Sequence, residues 1–422
     1  MGIVLGCIAD DFTGATDLAG MLVRHGMHAV QTIGVPKQPA SEIDADAIIV
    51  ALKSRTLPPD EAIARSLEAM EWLKAGGAER FYFKYCSTFD STEQGNIGPV
   101  TEALMDALNV EQTIACPAFP ENGRTVFKGY LFAGDVLLNE SGMQDHPLTP
   151  MSDPNLVRVL ERQSTKGVGL LDYKTVRRGV NASRDALKLL AIQDKSLVIA
   201  DATDETDLRV LASAAVYQRL TTGGSGLAVG MPAAFEAADL YKPRGAAADL
   251  TPIGGPGVVI SGSCSRATNE QVQIFSKKHG GFQIDALALA ERRDLVGEAM
   301  AWAAERLGKT PVLIYATAEP EAVRKAQERF GRDKAGAMIE SALATIAEGL
   351  VVSGARQMVV AGGETSGAVV QRLGVEALRI GPEIDPGVPW CVSVGPSPIA
   401  LALKSGNFGA PNFFEKALEK AP

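Results

Sequence analysis

"IVLGCIADDFTGATD", Ile3–Asp17, decides how the rest of the chain is read. Seven uncharged, mostly apolar residues meet two adjacent aspartates, Asp10 and Asp11, and then Thr13, Gly14, Thr16 and Asp17. A short apolar run bounded by turn residues predicts a buried strand over Ile3–Ala9. The residues after it predict a tight turn at Gly14, then a helix capped by Thr16 or Asp17. That helix runs towards His25, with Gly26 as its C-terminal cap. The first charges therefore fall at the strand's C-terminal tip, where open α/β sheets bind ligands. Paired acids repel phosphate, so this tip suits hydroxyl groups, which carboxylates accept from, or a metal. A carboxylate beside a hydroxyl can also act as a general base. The plainer alternative is helix capping with solvated acids.

The same alternation continues outward. "DAIIVAL", "FYFKYC", "QTIACPA" and "SLVIAD" read as further buried strands, separated by helical patterns such as "DEAIARSLEAMEWLKAG" and "GPVTEALMDALN". Strand–helix alternation predicts α/β architecture with mainly parallel sheets covered on both faces. "YKPRGAAADLTPIGGPG", Tyr241–Gly257, interrupts the pattern with Gly, Ala and Pro, and is read as a linker. Alternation then resumes through "GVVISG", "PVLIYAT", "QMVVAGGE" and "WCVSVG". The expected organisation is two α/β domains, 1–242 and 257–422, joined by a linker at 243–256. The active site is expected in the cleft between them.

With 422 residues the chain is long for one core, which agrees with two domains. Its 41 basic and 50 acidic residues leave a formal charge of -9, which argues against nucleic acid or an anionic membrane as the main partner. The five cysteines are scattered, with no CxxC pair and no Cys/His cluster, so neither a zinc site nor a disulfide framework is expected. Reduced thiols fit a cytoplasmic protein. The N-terminus reaches paired acids too early for a signal peptide and lacks its basic start. No run of about 18 apolar residues points to a membrane span. A homo-oligomer is compatible with all of this.

Two more polar strand tips lie in the first half. "LKSRT", Leu52–Thr56, offers Lys53 and Arg55; arginine is the better carboxylate clamp because its fork reaches both oxygens. "FKYCSTFDSTEQGNIGPV", Phe83–Val100, brings Lys84, Ser87, Thr88, Asp90, Ser91 and Asn96 into one loop before a helix from about Pro99. Many donors and acceptors in little space suit a polyhydroxylated substrate. "TTGGSGLAVG", Thr221–Gly230, is a glycine-rich turn that serves either an anion or plain helix packing.

The second half carries a different set. Ser261 and Ser263 end one strand; Gly362, Gly363, Glu364 and Thr365 link a strand to a helix; Lys404, Ser405, Gly406, Asn407 and Phe408 lie in "LALKSGNFGAP" near the C-terminus. Glycines let phosphate approach the backbone, and a helix N-terminus favours its charge. Three such loops together read as a nucleotide pocket, with Phe408 available to stack on a base and Glu364 to meet ribose hydroxyls or a magnesium-bound water. No GxxxxGK[ST] is present, and no GxGxxG follows the first strand. The first absence excludes a P-loop enzyme, and the second counts against a nicotinamide-dependent dehydrogenase. His25, His28, His146 and His279 have no metal-ligand spacing.

Taken together, "ADDFTGATD", "KYCSTFDSTEQGNIGP", "GGSGLA", "SGSCS", "GGETSG" and "KSGNFG" resemble the four-carbon acid sugar kinase family, in order and over nearly the whole chain. The middle motif, "YCSTFDST", is similar to the branch acting on 3-oxo-tetronate. The D-threonate and D-erythronate branches typically read "DSTLRGN" there and remain the alternative. The resemblance implies an N-terminal acid-sugar domain and a C-terminal nucleotide domain. It implies transfer of the γ-phosphoryl group of ATP, with magnesium, to the 4-hydroxyl of the acid sugar. Asp10, Asp11 or Asp90 would be the base. Arg55, Lys84, Ser87, Thr88, Ser91 and Asn96 would hold the substrate. Ser261, Ser263, Gly362, Gly363, Glu364, Thr365, Gly406, Asn407 and Phe408 would hold ATP.

Overall fold

The fold was taken from a computed structural model, which describes residues 2–89, 92–145, 150–291, 294–318, 329 and 331–422. The chain forms two compact units, Met1–Ala247 and Ala248–Pro422.

In the first unit, eight strands pair in parallel in the order β2-β3-β1-β4-β11-β5-β10-β9. They are β1 (Leu5–Ala9), β2 (Ala29–Ile33), β3 (Ala47–Ala51), β4 (Phe81–Lys84), β5 (Thr113–Cys116), β9 (Gly167–Leu171), β10 (Lys195–Ala200) and β11 (Leu220–Gly223). A small antiparallel sheet, β6 (Arg124–Phe127), β7 (Tyr130–Ala133) and β8 (Val136–Leu137), is inserted after β5. Strands β1, β3 and β4 are buried along their whole length, which is why they read as unbroken apolar runs. The chain leaves β1 through the helix Phe12–Arg24 to β2, first in this unit's order, returns to β3, and crosses to β4 on β1's other side. Connections thus depart in opposite directions around β1, the place where a parallel sheet opens a crevice at its strand tips.

The second unit repeats this plan with β12 (Gly257–Ser261), β13 (Phe282–Gln283), β14 (Val312–Tyr315), β15 (Gln357–Ala361), β16 (Ala377–Asp385), β17 (Val388–Ser393) and β18 (Ala400–Lys404). Its order is β13-β14-β12-β15-β18-β17-β16, with β12 in the position that β1 holds in the first unit. Pairing is parallel as far as β18 and antiparallel for the last two strands. Its core gathers Val259, Phe275, Leu313, Trp390, Phe413 and Phe414. The segment Lys334–Val352 is apolar enough in composition to cross a membrane, with a mean hydropathy of 1.5. Its Leu343, Ile346, Ala347 and Leu350 are buried in the unit, while Val352 at its end is exposed.

Local boundaries depart from the sequence reading in one informative place. The first helix starts at Phe12 and is capped by Asp11, whose carboxylate accepts from the Gly14 N–H at 3.0 Å, rather than by Thr16 or Asp17. Thr16 is buried and its hydroxyl donates to Gln31 Oε1 at 2.8 Å. Asp17 accepts from Ser225 at 2.5 Å. Both side chains are used for packing the helix in place.

Candidate functional site

Main-chain bonds continue past the strand ends and draw three tips together. Asp10 N–H donates to Lys84 O at 3.0 Å, and Asp10 O accepts from the N–H groups of Ser54 (2.9 Å) and Arg55 (3.2 Å). The side chains then lock. Arg55 grips Asp10 with two nitrogens, Nε at 2.9 Å and Nη2 at 2.8 Å, and Nη2 also reaches Asp11 Oδ1 at 2.7 Å. Asp11 accepts from Thr13 Oγ1 at 2.9 Å as well. Lys84, buried at the last position of β4, donates to Tyr85 O at 2.8 Å. A β-carbon at Gly14 would lie 2.2 Å from Asp11 Oδ1 and 2.9 Å from Lys84 Nζ, so only glycine lets the first turn of the helix approach both.

Electrostatics separates the two acids. Burial raises the Asp10 carboxyl above its ordinary value, and Arg55 offsets this only in part. Burial acts on Asp11 in the same direction. There it is outweighed by Arg55, Lys84, the Thr13 hydroxyl and the Gly14 N–H, which together hold Asp11 below the usual carboxylate range. Asp10 is almost fully buried, 4% exposed in its side chain, whereas Asp11 is 25% exposed. Asp11 is thus the ionised carboxylate that can meet a ligand, and Asp10 is the anchor that sets Arg55.

The remaining residues predicted for this site divide. Asn96 is buried; its amide donates to Ser54 O (2.8 Å), Arg55 O (3.2 Å) and Leu57 O (3.2 Å), holding the loop that carries Arg55. Thr88 Oγ1 lies 2.9 Å from Cys86 Sγ in the turn after β4, and Ser87 is half-buried in the same turn. Phe89 closes that turn at φ 55°, an uncommon backbone for a bulky residue, with its ring edge-on to Tyr85 at 5.4 Å. Asp90 and Ser91 lie outside the described residues. The "GGSG" turn packs tightly: β-carbons at Gly223 and Gly226 would fall 2.2 Å from the carbonyls of Cys116 and Ala118.

In the second unit three strand tips again converge. The helix Gly363–Arg372 begins after Gly362, which has φ 125° and caps the helix with no side chain. Gly363 has open space where a β-carbon would be. Its first N–H groups have no partner among the described residues, the arrangement that receives an anion. A β-carbon on Gly362 would lie 3.1 Å from Ser263 N, and one on Gly406 would lie 2.5 Å from Ser263 Oγ, so the loops touch through their glycines. Ser261 turns inward, its hydroxyl 2.7 Å from Thr317 Oγ1. Thr365 is buried against Gly262, while Glu364, Asn407 and Phe408 are exposed.

Sequence reasoning placed Lys404 at the start of the last glycine loop but gave it no role at the site. It is fully buried at the end of β18, with its ammonium 3.0 Å from Thr268 Oγ1 and 3.1 Å from the carbonyls of both Ser405 and Gly406. Burial alone pulls its pKa down to about 8. The signal was present: a lysine closing the otherwise apolar strand "ALALK".

Comparison with known proteins agrees with this division. A sugar-binding N-terminal domain matches residues 5–231, and a nucleotide-binding C-terminal domain matches residues 258–414. The chain belongs to the four-carbon acid sugar kinase family. Two relatives called 3-oxo-tetronate kinase are each 56% identical. The one from Burkholderia multivorans aligns over 98% of this chain and 96% of its own, and the one from Cupriavidus necator over 99% and 97%. A solved Haemophilus influenzae structure is 46% identical with a TM-score of 0.86, covering 98% of this chain and 99% of its own. A Salmonella typhimurium structure is 41% identical with a TM-score of 0.91, covering 99% of both.

Proposed function

We propose that this member of the family transfers the γ-phosphoryl group of ATP to the 4-hydroxyl of 3-oxo-tetronate. The observation that carries the reading is the pairing, in one chain, of a partly exposed carboxylate, beside the buried Lys84 and the half-buried Arg55, with an open helix N-terminus lined by glycines. The first arrangement suits an acid that carries hydroxyls, and the second suits a polyphosphate. The full-length relatives called 3-oxo-tetronate kinase support the choice of acid.

In this mechanism the substrate carboxylate faces Lys84 and the exposed part of Arg55. Asp11 accepts a hydrogen bond from the 4-hydroxyl and orients it. Its lowered pKa makes it a weak base, which suffices because phosphoryl transfer is loose and depends chiefly on positioning and charge neutralisation. The uncapped N–H groups from Gly363 onwards, the Ser263 loop and the Gly406–Phe408 loop hold the phosphates. Glu364, in the first turn of that helix, is the carboxylate that would be available to magnesium, which would supply neutralisation of the charge developing on the transferred group. The five cysteines are all thiols outside any disulfide, which supports a reducing, cytoplasmic setting.

The test is ADP release from ATP and magnesium, with 3-oxo-tetronate formed in place by a tetronate dehydrogenase. D-threonate, D-erythronate and their L forms are run beside it. Turnover confined to the 3-oxo acid is expected. Turnover with a plain tetronate moves the specificity within the family, and no turnover with any of them refutes the assignment.

A further inference from the structure

The loop after β18 contains a turn whose orientation is set from below. Phe408 N–H donates to Ser405 O at 3.3 Å, so Gly406 and Asn407 are the central residues of a β-turn. The central peptide joins the Gly406 carbonyl to the Asn407 N–H. Three donors converge on that carbonyl: Ser265 Oγ at 2.6 Å, Thr268 Oγ1 at 2.7 Å and Lys404 Nζ at 3.1 Å. The peptide is planar and trans, so its C=O and N–H point in opposite directions. Drawing the carbonyl towards the buried side turns the Asn407 N–H towards the side where Asn407 and Phe408 are exposed. Type I and type II turns differ by a flip of this same peptide, so without the clamp the donor can face either way.

We propose that Lys404 is a positioning residue for the nucleotide: it holds the Gly406 carbonyl inward, so that the Asn407 N–H faces outward as a phosphate donor, and it places one positive charge behind the loop. The proposal rests on the reading of these loops as the nucleotide site. An ammonium has three donors, and Thr268, Ser405 and Gly406 take all three. The neutral amine has two, so deprotonation weakens the clamp and removes the charge together. The side chains facing Lys404 from the helix Arg266–His279 and its cap, Thr268 and Ser265, are neutral. In the first turns of the flanking helices the charged residues Arg266, Glu270 and Glu364 are exposed, and no charged group contributes to the lysine's shift.

The experiment is calorimetric binding of ADP to the full chain from pH 7.5 to 9.5, a range above the last phosphate ionisation at about 6. For the wild type, Kd is expected to rise about tenfold across the range, as a site that binds better with its lysine protonated loses that proton. In Lys404→Met the affinity is expected to be low throughout and the pH dependence gone, with KM for the acid sugar within about twofold of wild type. Thr268→Val, which removes one donor to Gly406 but keeps the lysine, should weaken ADP and retain the pH dependence. A wild-type profile flat over the range overturns the proposal whether or not the variants fold, as does a Lys404→Met protein with wild-type affinity and profile. Absence of any ADP binding by the wild type would instead overturn the reading of the site.

Discussion

At the scale of single residues, the two aspartates that look equivalent in "ADDFTG" have opposite tasks. Asp10 is buried in a bidentate pair with Arg55, while Asp11 is partly exposed and ionised. Asp11→Asn keeps the cap geometry but cannot take a proton. Its kcat should fall by about 10²–10⁴-fold while ADP affinity stays unchanged. Steady-state kinetics with ADP calorimetry checks this, and unchanged turnover would remove Asp11 from the mechanism. The pH response belongs to the other acid. Asp10 is raised and Asp11 lowered, so on acidification Asp10 takes up its proton first, and its hold on Arg55 weakens while Asp11 is still charged. Activity is therefore present at neutral pH and lost as pH falls through the raised Asp10 value. The acid limb of kcat/KM for the sugar acid should lie above the ordinary aspartate value of about 3.9; a limb at or below it contradicts this order. None of this asymmetry is legible in the sequence, because it depends on Arg55, which lies 45 positions away from Asp10.

At the scale of elements, both candidate sites lie where strand tips are tied by neighbouring loops. The strands around each site were legible because β1, β3, β4, β12 and β15 are short apolar runs ended by polar or glycine residues. The start of the first helix was less so, since Asp11, Thr16 and Asp17 are all good caps and only the packing of Thr16 on Gln31 and of Asp17 on Ser225 decides among them. Asn96 shows the same limit. Its type and loop suggested a substrate contact, whereas its amide secures three carbonyls of the Arg55 loop. Asn96→Leu leaves these carbonyls, that of Ser54 in a buried setting, without their donor and should cost about 1–3 kcal/mol of stability. It should also raise KM for the sugar acid more than KM for ATP, measured by denaturant titration and paired saturation curves. Equal rises in both KM values would assign Asn96 a purely global role. At the other site, Gly362→Ala adds a β-carbon at φ 125°, 3.0 Å from Thr365 Oγ1 and 3.1 Å from Ser263 N. Strain of about 1–3 kcal/mol at that helix start should weaken ADP binding without affecting the KM for the sugar acid.

At the scale of the whole molecule, the chain uses one topological device twice. Each unit has a parallel sheet in which the chain moves to the strand that comes first in the unit's order, returns beside the starting strand and crosses to its other side. Each also ends one strand of its site with a buried lysine whose ammonium folds onto the carbonyl of the next residue, Lys84 onto Tyr85 and Lys404 onto Ser405. The chemistry on these matching frames differs. The first unit adds aspartates, which repel phosphate and accept from hydroxyls, and the second adds glycines and serines, which expose N–H groups. Each ligand should therefore protect its own unit. A ligand at one hundred times its Kd stabilises the state that binds it by about 2.7 kcal/mol, and hydrogen exchange locates where that stabilisation is felt. With ADP, the slowed amides should centre on residues 262–268, 362–368 and 405–409. With the sugar acid alone they should centre on residues 10–17 and 53–56. ADP protection centred on the aspartate loop, or acid-sugar protection centred on the glycine helix, would reverse the assignment of the two sites. It would also leave Asp11 without a hydroxyl to orient and Lys404 without a phosphate on the loop it holds.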